Sequence, residues 1–239
     1  PYGWLEGYDY GWTPNTTDAQ NKRYRYGNQP DMVLWNLYQL ANTLYPLIEE
    51  AQGLEAILND FRADYDVKYI QMMRSKIGLF TENEKDQALI QEMEENLHLT
   101  ETDMTIFFRN LSRFEKEKPE NGFQSITEAF YNLPEPHSDI EMTWNDWFKK
   151  YALRLKLETQ TDPERTQKMN TFNPKYVLRN YMAQLAIEAA DKEDYILIDE
   201  LFTLLKNPYD EQENHQKWFA KRPEWARNKV GCSMLSCSS

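Results

Sequence analysis

An all-α fold is predicted for this 239-residue chain by three observations. From Pro30 onward apolar residues recur with the 3.6-residue period of a helix and never alternate as in a half-buried strand. Glycine occurs only 8 times, which disfavours turn-rich β architectures and glycine-rich phosphate loops. Asn-Pro, Asp-Pro and Thr/Asp-rich steps separate the periodic stretches, and these are helix starts and stops.

Residues 1–30 form a separate, irregular segment, rich in Gly, Tyr and Trp and without helical period. So many large rings predict an ordered segment pinned by aromatics. Pro30 suits the first turn of a helix, where its missing N–H is harmless. Met32, Val33, Trp35, Leu37, Leu40, Leu44 and Leu47 then spread over more than one face, which predicts a central, buried helix. Leu54, Ile57, Leu58, Phe61, Tyr65, Tyr69, Met72, Met73 and Ile77 make a stripe that ends near Gly78, a C-terminal cap.

Leu89, Ile90, Met93 and Leu97 predict the next helix. Met104, Phe107, Phe108, Leu111 and Phe114 predict another, with Thr100, Thr102 and Asp103 as cap candidates. Residues 115–122 are a solvated loop by composition, and a short helix covers Phe123–Tyr131. A capping box at Thr143–Asp146 is expected to open a helix through Trp147, Phe148, Tyr151 and Leu155. Asp162-Pro163, Asn173-Pro174 and Asp194 open three more, the last stopped by Asn207-Pro208. In all, about eight or nine helices and no strand are expected. Residues 31–210 are read as the helical body and 211–239 as a C-terminal tail.

The charge is −12, from 27 Lys and Arg against 39 Asp and Glu, which argues against nucleic acid as a partner and against a polybasic membrane anchor. No apolar run approaches the roughly 20 residues that span a bilayer. Cys232 and Cys237 are too few to staple a secreted domain. The start, Pro1-Tyr2-Gly3-Trp4-Leu5, carries no initiator Met and no apolar leader, so a chain cut from something longer is expected. The histidines His98, His137 and His215 lack a second ligand at helical spacing, so no metal site is predicted. The acidic runs around Glu92–Glu95 and Asp210–Glu213 read as solvated faces. The terminal cysteines leave two readings open: incidental thiols on a frayed tail, or a mobile redox group.

Several stretches together resemble the C-terminal half of the selenoprotein O family of protein adenylyltransferases. Pro1-Tyr2-Gly3-Trp4-Leu5 with Tyr8-Asp9 is similar to the segment after the family's Asp-Tyr-Gly motif. Arg23-Tyr24-Arg25-Tyr26-Gly27-Asn28-Gln29-Pro30 with Trp35-Asn36-Leu37 is similar to the run into its large helix. Residues 173–181, Asn207-Pro208-Tyr209-Asp210, Pro223-Glu224-Trp225-Ala226 and Cys237-Ser238-Ser239 complete the match in order.

The resemblance implies the helical C-lobe of a protein-kinase-like fold with a family-specific helical extension. It implies a cytoplasmic bacterial enzyme that moves AMP from ATP to Ser, Thr or Tyr of protein substrates, with Mg²⁺. It places the catalytic and nucleotide-binding residues upstream of Pro1, in a missing N-terminal half that would be the main partner, so the fragment alone is expected to be inactive and to bind neither cofactor. Residues 1–29 would correspond to the activation loop, with Arg23, Tyr24 and Tyr26 as substrate-cleft candidates. Asp31 is either an anchor for the catalytic loop or a plain helix-start residue. Cys237 falls where animal members place selenocysteine. Bacterial members are implied to pair the terminal Cys with one in the activation loop, but here Pro14 stands at that position, leaving Cys232 and Cys237 to pair locally or with other thiols. Composition alone favours a non-catalytic, acidic, helical interaction module, whereas the ordered set of motifs favours the enzyme.

Overall fold

The structure is a computed structural model, and it describes residues 5–13, 18 and 20–232. Among these, nine α-helices follow one another: α1 (Gln29–Ile48), α2 (Gln52–Lys76), α3 (Asp86–Leu97), α4 (Met104–Leu111), α5 (Gly122–Ile126), α6 (Asp139–Leu155), α7 (Asp162–Asn170), α8 (Asn180–Ala190) and α9 (Ile196–Leu205). Short 3-10 turns flank them, and β structure among the described residues is limited to two isolated bridges, Gly7 to Asp103 and Thr102 to Phe130. The all-α expectation holds.

Helix α6 occupies the centre of the first core. Trp144, Trp147, Phe148, Tyr151 and Leu155 lie on one side of it at helical spacing, and all are at most 1% exposed. Rings from α4 and the turn after it, Phe107 and Phe114, close on Trp144, Phe148 and Tyr151. Two of the polar ring ends find backbone partners: Trp147 Nε1 donates to Leu89 O at 2.9 Å and Tyr151 Oη to Ile77 O at 2.5 Å, whereas Trp144 Nε1 is buried without a hydrogen-bond partner among the described residues. Gly122 lets α5 approach α6 closely, since a Cβ there would sit 2.2 Å from Phe148 Cγ. At the end of α2, Gly78 supplies the left-handed turn (φ +75°) that the sequence assigned to it.

A second core forms from Tyr176, Tyr181, Met182, Ala186, Leu201, Leu204, Trp218, Ala226 and Cys232. It therefore draws on α8, α9 and the segment after residue 210. Buried arginines tie the chain between the two cores. Arg109 donates to Asn173 O at 2.9 Å, Tyr209 O at 3.1 Å and Glu211 Oε1 at 2.8 Å. Arg179 grips Asp103 through both guanidinium nitrogens, at 2.5 and 2.9 Å.

Three expectations are corrected. Helix α1 is not buried: none of its residues is, and Trp35, Tyr38, Leu40, Tyr45, Leu47 and Ile48 are exposed. Its main packing partner is α2, with the turn at Tyr26–Asn28 beside it, and α2 itself buries only Met73 and Arg74. Helix α6 begins at Asp139 with Ser138 as its cap, because Thr143 turns its hydroxyl back to Asp139 O at 2.7 Å and sits inside the helix. Asn173-Pro174 opens no helix. Residues 174–179 lie between α7 and α8, where Lys175 N and Tyr176 N both donate to Pro208 O at 2.8 and 3.0 Å. Asp103 does cap α4, accepting from Ile106 N at 3.0 Å.

Candidate functional site

The segment preceding α1 folds back over α2 and α3 as an aromatic cluster. Tyr10 and Tyr26 stack with centroids 6.0 Å apart and planes 14° from parallel. The His98 ring packs against both Tyr8 and Tyr10 at 5.1 and 4.9 Å. Beneath them, Glu94 accepts the Tyr8 hydroxyl at 2.9 Å and the Tyr69 hydroxyl as well, while Tyr8 and Tyr10 hydroxyls meet at 3.1 Å. Burial and the neighbouring Glu94 charge push the Tyr8 and Tyr69 phenols far above their ordinary range, and burial pushes Tyr26 up to about 12. The Tyr8 and Tyr69 hydroxyls therefore stay protonated and donate to Glu94. Glu94 belongs to the run read as a solvated acidic face. The structure makes it the hub that holds the N-terminal segment, and no short-range pattern marks it, because its partners are 25 and 86 residues away.

Of the site candidates, Tyr26 borders an open groove of about 920 Å³, whose lining includes Tyr10, Val33, Phe61, Tyr65, Tyr69 and Asp66. Arg23 is not part of this groove's lining; its guanidinium lies 4.3 Å from the Trp35 ring and 5.7 Å from Tyr24. Among the described residues most arginines pair with carboxylates, but Arg23, Arg25 and Arg113 do not. Tyr24 is exposed, and its backbone N–H is held by Asp18 Oδ2 at 2.8 Å. Asp31 faces α2, where it pairs with Arg62, both being half exposed. That bond fastens α1 to α2.

Cys232 is buried in the second core as a free thiol, 4% exposed, and burial raises its pKa. A thiol so placed is a weak nucleophile. Cys237 and Pro14 lie outside the described residues. Among the described residues, no three His, Cys, Asp or Glu side chains converge as a metal-binding group, and no helix is long and apolar enough to cross a membrane.

Comparison with known proteins accounts for this arrangement. The family model described as "Protein adenylyltransferase SelO" matches residues 1–206. A "Protein nucleotidyltransferase YdiU" from Flavobacterium johnsoniae is 61% identical over 240 residues, covering 100% of this chain and 46% of that protein. Proteins of the same name from Aromatoleum aromaticum and Rhodopirellula baltica are 44% and 45% identical, again over the whole of this chain and 45% and 46% of theirs. The chain thus spans about half the length of the curated relatives it matches, and it belongs to the SelO family of protein adenylyltransferases.

Proposed function

We propose that this chain is the C-terminal, substrate-facing part of a protein nucleotidyltransferase that moves AMP from ATP to Ser, Thr or Tyr hydroxyls, with the helical architecture of a kinase-like large lobe. The observation that carries the reading is the bare apolar hairpin of α1 and α2. Leu47 is 81% exposed and Ile57 67%, beside Trp35, Tyr38, Leu40 and Tyr45. Contiguous apolar surface of this extent on two long helices is a contact face. The relatives' additional length, about half of each protein, supplies what covers it. In this reading the expected burial of α1 is completed by the rest of the longer protein.

ATP and Mg²⁺ belong to that other part. Among the described residues no three His, Cys, Asp or Glu side chains converge to hold a metal ion. Bound there, they supply the activated α-phosphate and the charge neutralisation that nucleotidyl transfer needs. The residues of this chain present the protein substrate. The Glu94 cluster fixes the segment before α1, Tyr26 lines the groove, and Tyr24 and Arg23 precede it in the same segment. Arg23, over the Trp35 ring and without a carboxylate partner among the described residues, is available to take an anionic group of the substrate.

The test is to produce this chain and the remaining half of the protein separately and together, with ATP labelled in the α-phosphate and Mg²⁺. Label should enter protein only when both are present. Incorporation by this chain alone would refute the division of labour.

A further inference from the structure

The first described stretch, residues 5–8, is fastened from the opposite end of the chain. Its backbone is pinned to the start of α4: Glu6 O accepts from Met104 N at 2.9 Å, and Tyr8 N donates to Thr102 O at 2.8 Å. The one charged side chain of this stretch, Glu6, is 7% exposed; among the described residues Arg222 alone donates a hydrogen bond to it, at 3.3 Å, while the nearby Arg179 charge acts on it as well. The other Glu6 oxygen, Oε1, is buried without a partner.

Arg222 is held in turn. Its second terminal nitrogen donates to Glu101 Oε1 at 2.8 Å, its backbone N–H donates to the Tyr131 hydroxyl at 3.2 Å, and its guanidinium lies 5.1 Å from the Tyr131 ring. Arg227 grips both Glu101 oxygens, and Lys221 donates to Phe130 O. Asp103, next to Glu6 across the bridge, is saturated by Arg179. Three carboxylates thus face three guanidinium groups, and Glu6 is the least secured of them. Losing Arg222 would strand a buried carboxylate, which is expelled or neutralised rather than tolerated.

We propose that Arg222 is a positioning residue: through Glu6 it lets the C-terminal segment, residues 213–232, set where residues 5–13 sit, and thereby the rate at which the substrate-facing loop beyond them supports transfer. The inference rests on the functional reading above, and its test separates the two. In the full-length protein, Arg222→Gln, Glu6→Gln and the double variant are compared by hydrogen exchange and by AMP transfer. Arg222→Gln should speed exchange of residues 5–13 about tenfold, the effect of losing one hydrogen bond to a charged group, with α4 and α6 unchanged. It should lower kcat with KM for ATP unaltered. The double variant, which leaves no stranded charge, should recover most of both effects. Unchanged exchange in residues 5–13, or a fall in transfer matched by a global loss of protection, would overturn the proposal. A wild-type protein without AMP transfer would sink the functional reading instead, and the exchange measurement would still judge the latch.

Discussion

Replacing Asp103 by Asn removes one charge while leaving almost everything else in place, so it isolates what the buried ion pair contributes. Asp103 is 0% exposed and Arg179 2% exposed. Burial disfavours the guanidinium charge, and Asp103, bonded at 2.5 and 2.9 Å, more than offsets it, so Arg179 stays protonated well above its usual range. Asn keeps the oxygen that accepts from Ile106 N and is as good a helix cap as Asp. What Asp103→Asn leaves behind is an interior guanidinium that has lost its directly bonded carboxylate and keeps only the Glu6 charge nearby, which costs up to about 3–5 kcal/mol. Domains of this kind are stable by roughly 5–15 kcal/mol, so the loss is a large share of the whole. The double variant Asp103→Asn with Arg179→Met buries no charge and should lose less than Asp103→Asn alone. Asp103→Ala should lose about 1 kcal/mol more than Asp103→Asn, because the cap goes too. Urea denaturation followed by the fluorescence of buried Trp144 and Trp147 reads these differences. A loss below about 1 kcal/mol for Asp103→Asn, or a double variant less stable than the single one, would refute the argument.

Two further predictions concern the first core. Lys76 has its amine 4.3 Å from the Phe108 ring and is depressed to about 8 by burial. Its folded pKa lies below its unfolded one, so its contribution is present above about 10.5, falls as pH drops and is gone below about 8. Lys76→Met should therefore be more stable than wild type at pH 7, by about 2 kcal/mol once the lost ring contact is allowed for, and this advantage should vanish by pH 10.5. A pH-independent difference in denaturation midpoint would contradict it. Gly122 has helical φ of −60°, so its need is space and not conformation. Gly122→Ala should destabilise by about 2 kcal/mol despite better helix propensity, because Phe148 cannot retreat from the new methyl. An equal or raised urea midpoint would show that it can.

Much of the fold is legible in the sequence because it is local. The α6 stripe, the Gly78 turn and the Asp103 cap each declare themselves within one or two helical turns. What escapes is set by distant partners. Pro174 reads as a helix start until Pro208 O claims the N–H groups of Lys175 and Tyr176. Thr143 reads as a cap until its hydroxyl is seen bonding one turn back. The apolar residues of α1 signal a contact with α2 but not how much of their surface stays exposed. The site divides the same way. The aromatic richness before Pro30 announces an ordered segment, whereas Glu94, Glu101 and Arg222 look like ordinary surface charges until the fold brings their partners to them. Among the candidates, Tyr26 lines the groove, Arg23 lies over Trp35, and Asp31 is engaged by Arg62.

The bond between Glu6 and Arg222 joins residues 216 apart in sequence. On a ribosome adding 5–20 residues per second, the second of these emerges roughly 10–40 s after the first. Until then Glu6 lacks the side chain that donates a hydrogen bond to it, and residues 5–8 are held by their backbone bonds to the start of α4 and by the nearby Arg179 charge. The clasp between these two distant stretches can therefore close only after everything between them has been made.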